Sequence, residues 1–426
     1  MTAYSVQLML KTMLLLVASS ALWTRVQAAA RFCAFSSVTI MSGRRRSVCS
    51  YVSIHSHTRR IIPKGIIPVY SIYSTARKLS SNIGNDTSDA AAAVQVAPGI
   101  TIQTALNDAV KALERKLVPE PEESALHLLS HALDLSWENG HRELRVCLPS
   151  TSNSMLANQL MSEEQSNMFQ SLLVRRIHLE PLQYIIGQWD FHDLVGLEIK
   201  QPMLCPRPET EELVEFVLEE VSELIRNRGS TNERIRILDV GCGTGAIGLA
   251  IANRYRDEVQ VLALDVLPEA VELSNDNARR FLASHVGEKK GHKLNTIYKA
   301  ILCSADDYTN TQEGETYKMG FDIVVSNPPY IPTKDMTTLS EDVSRYESDK
   351  ALCGGDDGLD IIRHIVKRLP EWTTGNCWLE VDDSHPSLIA DWLSPESLES
   401  ARFGVECVST YRDFCGRDRF VKLRVL

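Results

Sequence analysis

No aspartate or glutamate occurs in the first 85 residues, although the stretch holds eleven Lys or Arg and many serines. A run without acids is not an ordinary globular surface, and it has the composition of an organellar targeting segment, residues 1–85. A disordered extension with no address is the plainer alternative. The ten cysteines include no C-x-x-C pair and no neighbouring histidine cluster, which argues against both a zinc site and a disulfide framework. Reduced thiols in an organelle matrix fit, and no metal is expected. Long hydrophobic runs are also missing: MLLLVASSALW (Met13–Trp23) falls short of the ~20 apolar residues of a membrane span. Followed by VQA (Val26–Ala28), it has the form of a secretory signal with a small-residue cleavage site. A two-part plastid address would use both features; the mitochondrial matrix, which needs only the Arg/Ser tract, is the preferred destination.

The chain has 426 residues, 44% hydrophobic and 23% charged, enough for two or three domains with a sizeable core. Taking the +11 of residues 1–85 from the net −10 leaves about −21 on the remainder. Binding to nucleic acid rests on Lys and Arg neutralising phosphates, so a body this acidic is a poor general ligand for it. A monomer without direct nucleic-acid contacts or stable membrane association is expected.

The small, alanine-rich stretch from Asn82 to Gly99 reads as a linker (86–100) where the mature protein begins. Three helical patterns follow. Thr101 can cap one carrying Leu106, Val110, Leu113 and Leu117, and Ser124 precedes Leu128, Leu129, Ala132 and Leu133. Ser162 with Gln165 forms a capping box ahead of Met168, Phe169, Leu172 and Leu173. Short helices are stabilised mainly by packing on one another, so residues 101–180 are expected to form a small helical-bundle domain. Residues 181–206 lose that period and read as a β-hairpin linker. Domain 207–426 opens on PRPETEELV, where Pro208 and acids at 209, 211 and 212 suit the start of a helix reaching about Arg228.

Seven short apolar runs then alternate with helical spacers: Ile235–Gly241, Val259–Val266, Asn295–Leu302, Phe321–Asn327, Trp378–Asp382, Phe403–Val408 and Arg419–Val425. The expected fold is α/β, a Rossmann-like seven-stranded mostly parallel sheet with helices on both faces. Between the first strand and its helix lies DVGCGTGAIG. Gly241, Gly243 and Gly245 permit a tight turn and let a ligand approach bare backbone at a helix start. Asp265, twenty residues past Gly245, can accept from both ribose hydroxyls of an adenosine-containing cofactor. Gly241, Gly243 and Ala246 also satisfy the dinucleotide fingerprint, so NAD is a rival; a close strand-to-helix turn without ligand is another. Asp306 or Asp307, after the third strand, is placed to reach an adenine or is simply an exposed turn acid.

Asn327, Pro328, Pro329 and Tyr330 end the fourth strand, because proline cannot donate to a sheet ladder. An amide side chain is thereby held at the sheet's carboxyl edge, where ligands of open α/β sheets collect. Methyl transfer to a planar nitrogen needs such a device. The nitrogen's lone pair is delocalised, so it must be aimed: the Asn327 side-chain oxygen and the Pro328 carbonyl can each accept one hydrogen of an NH₂ group, and Tyr330 can cover the planar group. Hydride transfer has no use for this arrangement.

With both motifs in hand, the sequence resembles the class I AdoMet-dependent methyltransferases. More narrowly it is similar to the peptide-chain-release-factor glutamine N5-methyltransferases, through EPLQYIIGQWDF (Glu180–Phe191), PRPETEELV (Pro206–Val214), FDIVVSNPPYIP (Phe321–Pro332) and ALCGGDDGLD (Ala351–Asp360). The resemblance implies AdoMet held by Gly241, Cys242, Gly243, Thr244, Gly245 and Asp265, with Asn327 adjoining it. It implies a glutamine amide, from the Gly-Gly-Gln loop of a class I release factor, held by Asn327, Pro328, Pro329 and Tyr330. Arg207 and Glu209 would shape the pocket lip, or instead form a helix-start ion pair, and the helical domain would contact the release factor. Three departures from the family stand out: Asp307 replaces a frequent aromatic, RYESD (Arg345–Asp349) lacks a proline, and EVDDSH (Glu380–His385) lacks a glycine and a glutamine. An exocyclic amine of adenine, cytosine or guanine poses the same chemical problem, and a catalytically silent scaffold is the non-enzymatic alternative.

Overall fold

The computed structural model describes residues 96–136, 140–148, 154–229, 233–286, 297–308 and 320–426; the expected targeting segment lies outside them, as does 86–95 of the linker. Among these residues no helix is long and apolar enough to cross a membrane.

Helix Ile102–Arg115 begins where Thr101 accepts from the Thr104 amide, and Glu163–Ile177 begins at Ser162, whose capping box with Gln165 has both arms in place. The helix between them starts earlier than its sequence suggests. Pro121 opens it, with Glu122 and Glu123 in the first turn, so Ser124 lies inside rather than before it. Buried there, Ser124 accepts from Arg176 Nε at 3.1 Å and so bonds to the helix Glu163–Ile177. Two residues expected on buried stripes are exposed. Leu117 lies past the end of its helix, and Met168 projects beside the stripe that Phe169, Leu172 and Leu173 form. Shorter helices at Gly140–Arg145 and Met155–Asn158 add to the expected three, and one apolar core joins them.

The segment expected to be a hairpin first makes one more helical turn, Leu182–Ile186, which Gly187 ends at φ 80°. Pro181 sets up that turn, and Leu182, Tyr184, Ile185 and Ile186 are all buried. The hairpin itself is β1 (Gln188–Phe191) and β2 (Leu194–Glu198), paired antiparallel.

Seven strands form the large sheet: β3 (Ile235–Val240), β4 (Val259–Asp265), β5 (Tyr298–Leu302), β6 (Phe321–Ser326), β7 (Thr373–Glu380), β8 (Val405–Arg412) and β9 (Asp418–Val425). Their order is β5-β4-β3-β6-β7-β9-β8, parallel except for β9, which runs against both neighbours. Alternation along each strand sends Ile237 and Val325 into one core, Leu238 and Val324 into the other. Helices Pro208–Arg228, Ala246–Arg254 and Pro268–Val286 cover the first face; Asp360–Trp372 and His385–Trp392 cover the second. Strand β7 begins five residues before the apolar run Trp378–Asp382. Its polar start is accommodated by specific partners: Thr373 donates to the Phe321 carbonyl, and Asn376 to the buried Glu220. From β3 the chain moves outward to β4, whereas β6 lies on the opposite side of β3. That reversal opens a crevice at the carboxyl ends of β3 and β6.

Candidate active site

Val240 and Ser326 are register partners at the ends of β3 and β6. The buried Ser326 hydroxyl donates to the Val240 carbonyl at 2.6 Å, so Gly241 and Asn327 leave the sheet side by side. Beyond Val240 the amides of Gly241 and Cys242 both donate to the Leu264 carbonyl, at 2.8 and 2.9 Å, fastening the glycine loop to β4. The three glycines serve two ends. All have positive φ, but a Cβ on Gly241 or Gly243 would meet no atom of the described residues within 4 Å, whereas one on Gly245 would lie 2.6 Å from Ser274 Oγ. Gly245 is therefore packed from behind, and the first two present bare backbone to open space. Such a cradle fits an adenosyl cofactor.

Asp265 ends β4 half-buried, Oδ2 accepting from the Gly243 amide at 2.9 Å and Oδ1 from Leu267 at 3.0 Å. Burial pushes this carboxyl upward while the amide bonds oppose it. A carboxylate has about four acceptor positions, so these amides leave acceptor capacity for a ribose hydroxyl. Cys242 and Thr244 have buried side chains, and burial holds the Cys242 thiol well above its ordinary range, so these two bring main chain rather than side chain to the loop.

On the β6 side, Asn327 Nδ2 donates to Thr210 Oγ1 at 3.1 Å, and Thr210 donates in turn to Glu380 Oε2 at 2.7 Å. With its nitrogen so engaged, Asn327 has Oδ1 available to accept. Pro328 is buried, and Pro329 and Tyr330 are half-buried. The Tyr330 ring has the Arg419 guanidinium 5.7 Å from its centroid, and its hydroxyl stands 3.5 Å from Glu380 Oε1. Burial beside Glu380 raises the Tyr330 phenol, so it stays protonated near neutral pH.

Two family models match the chain, the PrmC N-terminal domain over residues 104–187 and the methyltransferase small domain over 217–343. A human protein named MTRF1L release factor glutamine methyltransferase is 35% identical over 314 residues, covering 73% of this chain and 83% of the relative. The chain belongs to the release factor glutamine methyltransferase family. Members with that name from Thermodesulfovibrio yellowstonii and Vibrio cholerae are 32% and 30% identical over 269 and 320 residues. They cover 63% and 75% of this chain, and 84% and 95% of their own lengths.

Within this family member the remaining expected residues have varied fates. Arg207 and Glu209 are not paired with each other. Arg207 forks onto the buried Glu347 at 2.8 and 3.0 Å, and Glu209 accepts from Arg417 at 2.7 Å, so each fastens the helix start to a distant segment. Burial raises the Glu347 carboxyl and Arg207 opposes that rise. Asp306 is engaged by His364 at 2.8 Å and Asp307 by the Ser304 hydroxyl at 2.7 Å, and both stay open to solvent, Asp306 in part and Asp307 more fully.

Sequence reasoning gave no role to three groups. Asn277, wholly buried, joins the hairpin to the glycine loop: Oδ1 accepts from the Glu198 amide, and Nδ2 donates to the carbonyls of Glu198 and Thr244. The turn Cys353–Gly358 lies directly on the segment after Asn327. A Cβ on Gly354 would sit 2.7 Å from the Pro329 carbonyl, and one on Gly358 would sit 2.2 Å from that of Tyr330. His385 Nε2 meets the Asp357 carbonyl at 3.0 Å and backs this turn. The two glycines were visible in ALCGGDDGLD. The third group, Thr210 with Glu380, carries no local signal.

Proposed function

We propose that the chain transfers a methyl group from S-adenosyl-L-methionine to the side-chain amide nitrogen, N5, of the glutamine in the Gly-Gly-Gln motif of a class I peptide chain release factor. The observation that carries this reading is the Asn327 carboxamide, its nitrogen engaged by Thr210 and its oxygen available, next to a glycine cradle that ends on Asp265. AdoMet supplies a methyl group on an electron-deficient sulfonium. Gly241, Cys242, Gly243, Thr244 and Gly245 would hold it through main chain, and Asp265 through the ribose hydroxyls. Asn327 Oδ1 and the Pro328 carbonyl would each accept one hydrogen bond from the glutamine NH₂, leaving its lone pair free for the methyl group, with Tyr330 bounding the plane. As the N–CH₃ bond formed and the C–S bond broke, one of those protons would pass to solvent. Near-attack positioning lowers a barrier by roughly 7 to 11 kcal/mol, against roughly 1 kcal/mol for the binding worth of one such hydrogen bond. Orientation therefore outweighs affinity. No strong base is required beforehand, because the nitrogen becomes acidic only as it is alkylated.

The helical region 101–180 is the surface assigned to the release factor, and the mitochondrial matrix is the compartment, in keeping with the acid-free, Arg-rich start. The test is to incubate the protein with methyl-labelled AdoMet and, separately, release factor, total RNA and DNA. Label is expected on the Gly-Gly-Gln glutamine in a tryptic mass spectrum; label in nucleic acid alone would replace this reading with base methylation. Asn327→Ala is expected to abolish turnover while AdoMet affinity changes far less, and equal rates for variant and parent would refute the chemistry.

A further inference from the structure

We propose that Thr210 and Glu380 are positioning residues that decide which end of the Asn327 carboxamide faces the substrate. An ionised Glu380 presents the oxygen, and a protonated one turns the amide about. The inference rests on the methyl-transfer reading above and extends it to residues that touch neither substrate nor cofactor.

The three groups come from separate elements: Thr210 from the first turn of helix Pro208–Arg228, Glu380 from the end of β7, and Asn327 from the end of β6. Thr210 and Glu380 are almost wholly buried, so their hydrogen bonds are made with one another rather than with water. A hydroxyl has a single proton to donate. While Glu380 is a carboxylate it can only accept, so the Thr210 proton points at Oε2 across 2.7 Å. Thr210 Oγ1 then has only lone pairs for its other neighbour. Asn327 must meet it with Nδ2, as it does at 3.1 Å, and Oδ1 is left for the incoming NH₂. When Glu380 gains a proton it can donate to Thr210, whose own proton then turns towards Asn327 and calls for Oδ1. A half-turn of the carboxamide needs almost no space, since its two ends are nearly the same size. The turned amide would confront the substrate NH₂ with its own NH₂, donor against donor.

The groups facing Glu380 set where this change falls. Burial disfavours its charge and so does Glu209 on the helix, whereas Thr210, Arg419 on β9 and Tyr330 favour it; together they leave the carboxyl pushed up to about 7. Turnover should therefore be lost as pH falls through that region.

The experiment uses the full chain with Thr210→Val, Thr210→Ser and Glu380→Gln, scoring kcat, KM for release factor and AdoMet affinity from pH 5.5 to 9. Displacing the acceptor should lower kcat in Thr210→Val by roughly tenfold to a hundredfold. AdoMet affinity should stay near the parent's, while the melting temperature falls because the buried Glu380 and the Asn327 amide each lose a partner. Thr210→Ser, which keeps the hydroxyl, should retain kcat, and Glu380→Gln should lose the acid limb. Parental kcat in a folded Thr210→Val, or an unchanged acid limb in Glu380→Gln, would overturn the proposal. A substrate-free readout separates its failure from that of the function. The ¹⁵N-labelled Asn327 carboxamide resonances, assigned by their loss in Asn327→Ala, should shift between pH 8 and 6 in the parent but not in Glu380→Gln. Resonances that ignore pH in both would sink the relay even if release factor is methylated; if release factor is not methylated, the function falls and these resonances still decide the relay.

Discussion

Asp239 lies wholly buried near the end of β3, with Oδ2 accepting from the Gly248 amide at 3.0 Å and, among the described residues, no hydrogen-bond partner on Oδ1. Burial, reinforced by Asp265, pushes its carboxyl to about 7. Since the folded value lies above the unfolded one, folding takes up a proton between them. The contribution is most favourable below about pH 4 and is lost as pH rises through 7, a difference of up to roughly 4 kcal/mol. Asp239→Asn, which has no charge to bury, should therefore raise the melting temperature more at pH 8.5 than at pH 5. Equal shifts at both pH values in thermal unfolding would contradict this assignment. Residues of this kind divide sharply in legibility. Asp265 and Asn327 were visible because each ends an apolar strand beside a motif with a stated geometric use. Thr210 was read only as part of PRPETE, since its partners lie 117 and 170 positions away.

Helices and strands announced themselves wherever their signal is local. The capping box at Ser162 is an i, i+3 pattern, and both arms are present: the Gln165 amide donates to Ser162 Oγ at 3.1 Å, and the Gln165 side-chain Oε1 accepts from the Ser162 amide at 3.0 Å. Ser162→Ala should destabilise the protein by about 1 kcal/mol without altering methyl transfer, measurable by denaturant titration alongside the activity assay. Ser124 shows the limit of the same pattern. A serine ahead of leucines reads as a cap, yet here Pro121 starts the helix and the hydroxyl accepts from Arg176 on another helix. The early start of β7 is similar. Asn376 is a poor strand signal, but Glu220 accepts from it at 2.6 Å, from Trp378 Nε1 at 2.7 Å and from Lys422 at 2.9 Å, anchoring helix Pro208–Arg228 to β7 and β9. A buried carboxylate with three donors supplies the hydrogen-bond partners that these strand residues need.

Across the whole molecule, the site depends on ties between parts far apart in the chain. Tyr346 donates to the His178 carbonyl at the end of helix Glu163–Ile177, and its neighbour Glu347 holds Arg207, so the helical region is bonded to the segment that fastens the start of helix Pro208–Arg228. Asn277 makes the corresponding tie on the cofactor side, between the β2 hairpin strand and the glycine loop. Asn277→Ala would leave the buried Thr244 carbonyl without this donor, at roughly 1 to 3 kcal/mol, and would remove two part-buried bonds to the Glu198 main chain. A lower melting temperature together with weaker AdoMet binding is expected; a change in neither, by calorimetry and by titration, would show the tie to be dispensable.

The sequence by itself determined the alternation of strands and helices, the glycine turn, the acid that follows it and the exit of Asn327 from its strand. Each of these follows from side-chain periodicity or backbone restriction within a few neighbouring residues. Tertiary structure alone decided that Arg207 and Glu209 turn to Glu347 and Arg417, that two glycines of the Cys353–Gly358 turn lie against the main chain of Pro329 and Tyr330, and that Thr210 links Glu380 to the Asn327 amide. A buried polar group must find its partner in space, and which partner it finds depends on how elements are stacked, a quantity no local pattern contains.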